Sequence, residues 1–232
     1  MMIGEAALVR GAIATGTSTW RGRRPPVRQL AEAMLQGDAG TAGDLAEQFL
    51  ARVGSRLGVF ADLVQPAQSE ICDLWYRGQI DNCDERRAAC VLERLVGMLP
   101  PTPSSSPVLA GSRCLLTVLP GERHTLGLGM FALALEDEGW KVELLDNDCE
   151  PEEVPALVER TRPRLVAVSA GYLPSVARMA QVVGAIRALS VPVLVGGAAF
   201  NRAGDLWRRV GASAYGPDTR IGTVLARRLA RP

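Results

Sequence analysis

Histidine and lysine are almost absent from this chain, which carries one of each, His124 and Lys141, in 232 residues. A single imidazole leaves no His-based metal cage, no catalytic triad built with a second histidine and no histidine proton relay. A single lysine leaves little room for Schiff-base or P-loop chemistry. Charge is balanced to a net +1, so no global field points to nucleic acid or a membrane surface. No uninterrupted apolar run approaches the roughly 18–20 residues that span a bilayer. The N-terminal stretch lacks the apolar core and small-residue cleavage site of a signal peptide. The five cysteines (72, 83, 90, 114 and 149) form no CxxC pair and are odd in number, which reads as a reduced, cytoplasmic protein. Cys114, inside an apolar run, reads as core. If a metal binds through nitrogen here, the protein supplies one ligand. A cofactor that brings its own equatorial ligands fits that limit, and a bare ion fits poorly.

What is present falls into two textures. Residues 1–26, with the basic run Arg21-Gly-Arg-Arg-Pro-Pro26, show no sustained periodicity and are expected to form a flexible arm. From 27 to 99 the pattern is helical. Leu30, Ala31, Met34 and Leu35 make one face of a first helix that Gly37 stops. A second is expected at 41–52, starting at Thr41 with Asp44 as a capping-box-like acid. The third, at 58–77, carries the stripe Phe60, Leu63, Val64, Ala67, Ile71, Leu74 and Trp75. The fourth, at 82–98, begins at Asn82 or Asp84 and buries Ala88, Val91, Leu92, Leu95 and Val96. Short loops between four helices predict a small bundle. The stiff, polar segment Pro100–Pro107 marks a boundary, and a linker is expected over 100–112.

From 113 to 232 strand-like and helix-like runs alternate. Strands are expected at 113–119, 141–145, 164–169, 192–196 and 212–215, and helices near 125–138, 151–161, 173–189, 202–210 and 217–230. Several strands are continuously apolar, as in Leu165-Val-Ala-Val168, which suits strands covered on both faces. Alternating βα units predict an α/β fold with a five-stranded, parallel, doubly wound (flavodoxin-like) sheet. In the strand order 2-1-3-4-5, ligands bind beyond the carboxyl ends of strands 1, 3 and 4. Strand 1 runs into Glu122-Arg-His124-Thr125-Leu-Gly127. Strand 3 ends in Ser169-Ala170-Gly171-Tyr172, and strand 4 in Gly196-Gly197-Ala198-Ala199-Phe200. Strand 2 ends in plain Asp146-Asn147-Asp148. The glycines after strands 3 and 4 are expected to let a bulky ligand approach the backbone. A metal-ligating imidazole usually donates its second N–H to a carboxylate, a role open to Glu122. An ordinary surface-loop histidine beside an incidental Glu is the plain alternative. Phosphate binding at the helix start is a poorer one, because Gly121, Gly127 and Gly129 do not make GxGxxG.

Glu122-x-His124-x-x-Gly127, followed by Ser169 and Gly196-Gly197, resembles the motif set of the cobalamin-binding family, and Gly211-Ala-Ser-Ala-Tyr215-Gly-Pro-Asp218 resembles its last strand-loop-helix. The resemblance implies that His124 takes the lower cobalt position in place of the cofactor's own base. It also implies that the displaced base and its nucleotide tail are buried in a Rossmann-like domain at 113–232, and that the corrin supplies four equatorial nitrogens. It places Glu122, Thr125, Gly127, Ser169, Gly171, Gly196, Gly197 and Tyr215 around the cofactor. The bundle at 27–99 matches the family's helical cap, which covers the upper face of the corrin. The pattern is closer to light-sensing, cobalamin-dependent transcription regulators, whose His motif typically begins with Glu. Their cap carries a Trp, nine residues, then Glu-His, and Trp75 and Glu85 keep that spacing. In the family this Trp and Glu contact an upper 5′-deoxyadenosyl group; simple core of the third helix is the plain reading of Trp75. The chain departs from those regulators at Arg86, where they carry His, and at Tyr76, the residue after the cap Trp, so a bis-histidine photoproduct is excluded. No winged-helix DNA-binding domain is expected either, because 1–26 is too short for one.

The leading expectation is therefore a cobalamin-binding photoreceptor or ligand sensor, rather than an enzyme, that signals to a regulatory partner protein in transcription regulation. Adenosylcobalamin is the favoured form, ahead of methylcobalamin or hydroxocobalamin, and a homodimer is an option. Some stand-alone sensors of this layout hold a bilin as well; no attachment signal marks one here, and Cys72 or Cys83 would be the candidate thiols. The alternative expectation is a corrinoid methyl-carrier subunit of a methyltransferase. A receiver domain without cobalamin ranks third, since Lys141 opens strand 2, the wrong place for that chemistry.

Overall fold

The computed structural model describes residues 24–104, 111–118, 122, 124–145, 153–171 and 176–231. The expected arm at 1–26 lies outside these residues apart from its last three, and so do Gly121, Arg123, Asp146–Asp148 and Tyr172. Linker residues 105–110 lie outside them too. The chain divides into two compact units between Thr102 and Pro103, within the Pro/Ser stretch.

The first unit is helical. Helix α1 (Val27–Gln36) buries Leu30, Ala31, Ala33 and Met34 and ends at Gly37, whose φ of 75° is the left-handed cap that favours glycine. Helix α2 (Ala39–Val53) starts two residues earlier than its sequence pattern implies. Asp38, not Thr41, is its N-cap; the Asp38 carboxylate accepts from the Thr41 amide at 2.9 Å and from the Thr41 hydroxyl at 2.7 Å. That hydroxyl bond, first of all, holds the Asp38 carboxyl below its ordinary range. The third helical stretch is α3 (Arg56–Val59), a π-helical turn (Phe60–Val64) and α4 (Gln65–Tyr76). Phe60, Leu63, Val64, Ala67 and Ile71 are buried as the stripe predicts. Leu74 is only half-buried and Trp75 is 37% exposed, so the stripe runs out before the helix does. Helix α5 (Asn82–Met98) begins with a full capping box between Asp81 and Asp84 and buries all five expected positions. Helix α1 packs on α2, α4 and α5, which closes the bundle.

The second unit is the expected parallel sheet. It comprises β1 (Arg113–Val118), α6 (Leu126–Asp137), β2 (Lys141–Leu144), α7 (Val154–Thr161), β3 (Leu165–Ser169), α8 (Val176–Ala188) and β4 (Val193–Gly196). After these come α9 (Ala198–Arg202), α10 (Leu206–Arg209), β5 (Ala214–Gly216) and α11 (Thr219–Leu229). Strand order is β2-β1-β3-β4-β5, all pairs parallel. Alternate residues feed two cores. Leu115, Val166, Val168, Val193 and Val195 pack with Met179, Ile186 and Trp207 on one face. Cys114, Leu116, Leu165, Ala167 and Leu194 pack with Phe131, Leu135 and Leu225 on the other. Each Val, Leu, Ile, Phe or Met among them is worth about 1.5–3 kcal/mol on burial, which is why strands apolar on both faces hold the centre of the sheet. Cys114 is core, and burial pushes its thiol well up.

The helix expected at 202–210 is shorter, Leu206–Arg209, and a separate short helix, Ala198–Arg202, precedes it. Ala203, with φ −123° and ψ 85°, interrupts the run. The interruption lets Phe200 before it and Leu206, Trp207 and Val210 after it all enter the same core.

Candidate functional site

Helices α6 and α8 follow neighbouring strands β1 and β3 but lie on opposite faces of the sheet, so the crevice between the ends of β1 and β3 is the topological switch point. Glu122 comes from the loop after β1. Its side chain is 5% exposed, and its carboxylate is held by hydrogen bonds from two loops. Oε1 accepts from the His124 amide at 2.8 Å and pairs with His124 Nδ1 at 2.7 Å. Oε2 accepts from the Gly171 amide, in the loop after β3, at 2.6 Å. A buried carboxylate is tolerated where donors surround it, and these three supply that. An ionised carboxylate only accepts, so the proton belongs on Nδ1 and the ring's lone pair on Nε2. The imidazole itself is 58% exposed. The buried acid thus anchors a ligand-type nitrogen at the carboxyl edge of the sheet.

Of the other expected site residues of this unit, Gly171 contacts that pair, and the rest lie at or beyond the carboxyl ends of β1, β3 and β4 or on β5. Ser169 closes β3, in register with Val118 on one side and Gly196 on the other. Thr125 is exposed at the start of α6, where its carbonyl accepts from the Gly129 amide at 2.9 Å. Gly127 sits in the first turn of α6 with nothing within 4 Å of a Cβ built there. The glycines beyond β3 and β4 also stand close against the chain's own atoms. A Cβ on Gly171 would lie 3.0 Å from Glu122 Oε2 and 3.2 Å from His124 Nδ1. Gly197 has φ 96°, and a Cβ there would lie 2.5 Å from the Ala170 carbonyl oxygen. Tyr215, on β5, donates to Asn201 Oδ1 at 2.6 Å, and Asn201 Nδ2 donates to the Pro217 carbonyl at 3.1 Å. Desolvation, and then the Asp218 charge, raise the Tyr215 phenol above its ordinary range. The sequence pattern did not single out Asn201 or the Gly216–Gly222 approach, where a Cβ on Gly216 would meet Gly222 Cα at 2.9 Å. Asn201 carries no signal of its own, because it falls between the glycine-rich end of strand 4 and the helix expected at 202–210.

In the helical unit, Trp75 and Tyr76 form an edge-to-face pair with centroids 5.0 Å apart, and Tyr76 is 56% exposed. The Trp75 indole donates to Asn82 Oδ1 at 2.8 Å, tying the end of α4 to the first residue of α5. Glu85, half-buried, lies in the first turn of that helix. The plain reading of Trp75 as core therefore does not hold: its ring is a partly solvent-facing surface with its polar end fixed.

Both parts of the chain match family models described as a B12 binding domain, one over residues 27–99 and one over 112–221. The chain belongs to the cobalamin-binding family. Among solved structures it is similar to the monomethylamine corrinoid protein of Methanosarcina barkeri, at 17% identity and a TM-score of 0.74, over 86% of this chain and 96% of that one. Looser overlaps are found with a cobalamin-binding protein from Desulfitobacterium hafniense DCB-2 (18% identity, TM-score 0.46, 88% and 98% covered). A third is the methanol:cobalamin methyltransferase complex of Methanosarcina barkeri (15%, 0.47, 95% and 92%). No curated protein sequence gives a significant match. Among the described residues no helix is long and apolar enough to cross a membrane.

Proposed function

We propose that this chain is a corrinoid carrier: it holds cobalamin with His124 as the lower cobalt ligand and presents the cofactor to a partner methyltransferase. One observation carries the cofactor assignment. A buried carboxylate at the switch point holds the only imidazole of the chain by Nδ1, which puts the ring's lone pair on Nε2, the nitrogen that would meet a metal. The donor set fits the group. Among the described residues no cluster of three or more His, Cys, Asp or Glu side chains is placed to hold an ion. One imidazole suits a metal whose corrin brings four nitrogens. When bound, the cobalt supplies methyl-accepting and methyl-donating chemistry. Glu122 keeps the proton on Nδ1 and strengthens the ligand. Thr125, Ser169, Gly171, Gly196, Gly197 and Tyr215 are assigned to the cofactor's surroundings on the strength of the family motif.

The carrier reading takes its support from the corrinoid protein whose fold matches over nearly the full length of both chains. The light-sensing regulator stands as the second reading, supported by one feature: an exposed Trp75 at the expected interval from Glu85. On that reading Trp75, Tyr76 and Glu85 contact the upper ligand, and adenosylcobalamin is the bound form. Nothing further supports a bilin; Cys83 is exposed and Cys72 half-buried, as ordinary helix-surface cysteines are.

The test loads the full chain with methylcobalamin. The wild type is expected to give a base-off spectrum with a nitrogen ligand from the protein, and His124→Ala to lose that ligand and bind at least about tenfold more weakly. Unchanged spectra and affinity in the variant would overturn the ligand assignment. Demethylation of the loaded wild type by a methyltransferase that binds it supports the carrier; a loaded protein that no methyltransferase can demethylate counts against it.

A further inference from the structure

The chain from sheet to imidazole runs through a main-chain group. Ala170 donates to the Gly196 carbonyl at 3.0 Å and its own carbonyl accepts from the Ala199 amide at 3.0 Å, so the backbone just beyond β3 is pinned on both sides. The next amide, that of Gly171, is thereby aimed at Glu122 Oε2. Ser169, the residue that the family motif puts forward, makes no side-chain hydrogen bond among the described residues. Gly171 has no left-handed φ, so its glycine is required by space and not by backbone conformation. A methyl group there would press on both carboxylate oxygens, at 3.0 and 3.3 Å, and on His124 Nδ1, at 3.2 Å.

We infer that Gly171 is the positioning residue of the site: its amide orients the Glu122 carboxylate, its missing side chain leaves the carboxylate–imidazole pair its place, and together they fix the His124 tautomer. Ser169 has no part in this relay. A backbone donor neither titrates nor rotates, so the orientation of the imidazole follows the position of the sheet. The inference deepens the proposed function and rests on it for its consequence in cobalamin binding. The positioning itself belongs to the protein without cofactor.

The chain's single histidine makes the test direct, because every imidazole nitrogen signal belongs to His124. In the cofactor-free protein at about pH 8.5, where an imidazole is ordinarily neutral, ¹⁵N NMR should show wild-type His124 protonated on Nδ1. Gly171→Ala should shift the ring toward the Nε2–H form that a free imidazole prefers, and Ser169→Ala should leave it unchanged. With cobalamin added, Gly171→Ala should weaken the His-ligated form about 10–100-fold. A wild-type tautomer in Gly171→Ala, or an equal change in Ser169→Ala, overturns the inference. If Gly171→Ala loses its far-UV circular dichroism, Glu122→Gln decides in its place: a retained Nδ1–H form in that variant overturns the relay. A tautomer that responds in a protein that never ligates cobalt would sink the proposed function and leave the positioning intact.

Discussion

Among the glycines near the site, the requirement for glycine has different physical causes, and substitution separates them. Gly197 combines φ 96° with a backbone oxygen 2.5 Å from any Cβ, and that oxygen belongs to a carbonyl already bonded to the Ala199 amide. Neither strain nor clash can be relieved by turning a side chain. Gly197→Ala should destabilise the protein by at least about 2 kcal/mol, read as a lower denaturant midpoint. Gly127 is the opposite case, helical and in open space. Gly127→Ala should raise stability by up to about 1 kcal/mol through helix propensity. Any loss of cobalamin affinity in that stable variant then reports contact with the cofactor, and full affinity removes Gly127 from the site. The sequence made His124 and Glu122 legible because both the spacing and the rarity of histidine pointed there. It could not show that Gly171 answers to Glu122, because a main-chain donor leaves no residue type to read.

Elements were legible where periodicity was strong and ends were marked by residue chemistry. Strands β1, β3 and β4 stood out as continuous apolar runs because both sheet faces are covered. The start of α5 was visible in its Asp and Asn residues, and Gly37 marked the end of α1. The start of α2 was misread because Thr41 is a plausible cap by type, whereas Asp38, three residues earlier, accepts two bonds from it. The π-helical turn Phe60–Val64 was invisible, since its extra residue leaves Phe60, Leu63 and Val64 all on the buried side. The α5 capping box has a consequence beyond its own helix. Asp81 Oδ1 accepts from the Cys83 and Asp84 amides at 2.7 and 2.9 Å, immediately around Asn82, which holds the Trp75 indole. Asp81→Ala should cost about 1 kcal/mol and lower the thermal midpoint by roughly 2–4 °C. The same variant should loosen the Trp75 ring, and adenosylcobalamin affinity should fall more than hydroxocobalamin affinity if Trp75 meets the upper group. Equal losses for the two forms would remove Trp75 from that role.

At the scale of the molecule, each unit matches a B12-binding model in its own right, and the Pro-rich stretch between them includes the division at Thr102–Pro103. Two functions share that layout and differ in what the upper ligand is for. In a carrier the upper group is cargo and must leave by transfer to a partner. In a light sensor it is a latch, and breaking the cobalt–carbon bond must change the protein. Residues 27–99 include Tyr76 and Arg86 but no histidine, so on the sensor reading the helical unit would offer no imidazole to cobalt. A light response would therefore have to act through loss of the adenosyl group alone. Full-length protein loaded with adenosylcobalamin in the dark should bleach or shift its spectrum under green light on either reading, since photolysis belongs to the cofactor. The two readings part at the next observable. A carrier should keep its hydrodynamic radius and oligomeric state after illumination, as measured by size-exclusion chromatography with light scattering. A sensor should change one of them, or its affinity for a regulatory partner. Illumination that leaves size unchanged, combined with methyl transfer from the methylcobalamin-loaded protein, selects the carrier. A light-driven change of assembly without methyl transfer selects the sensor and returns Trp75 and Glu85 to the centre of the mechanism.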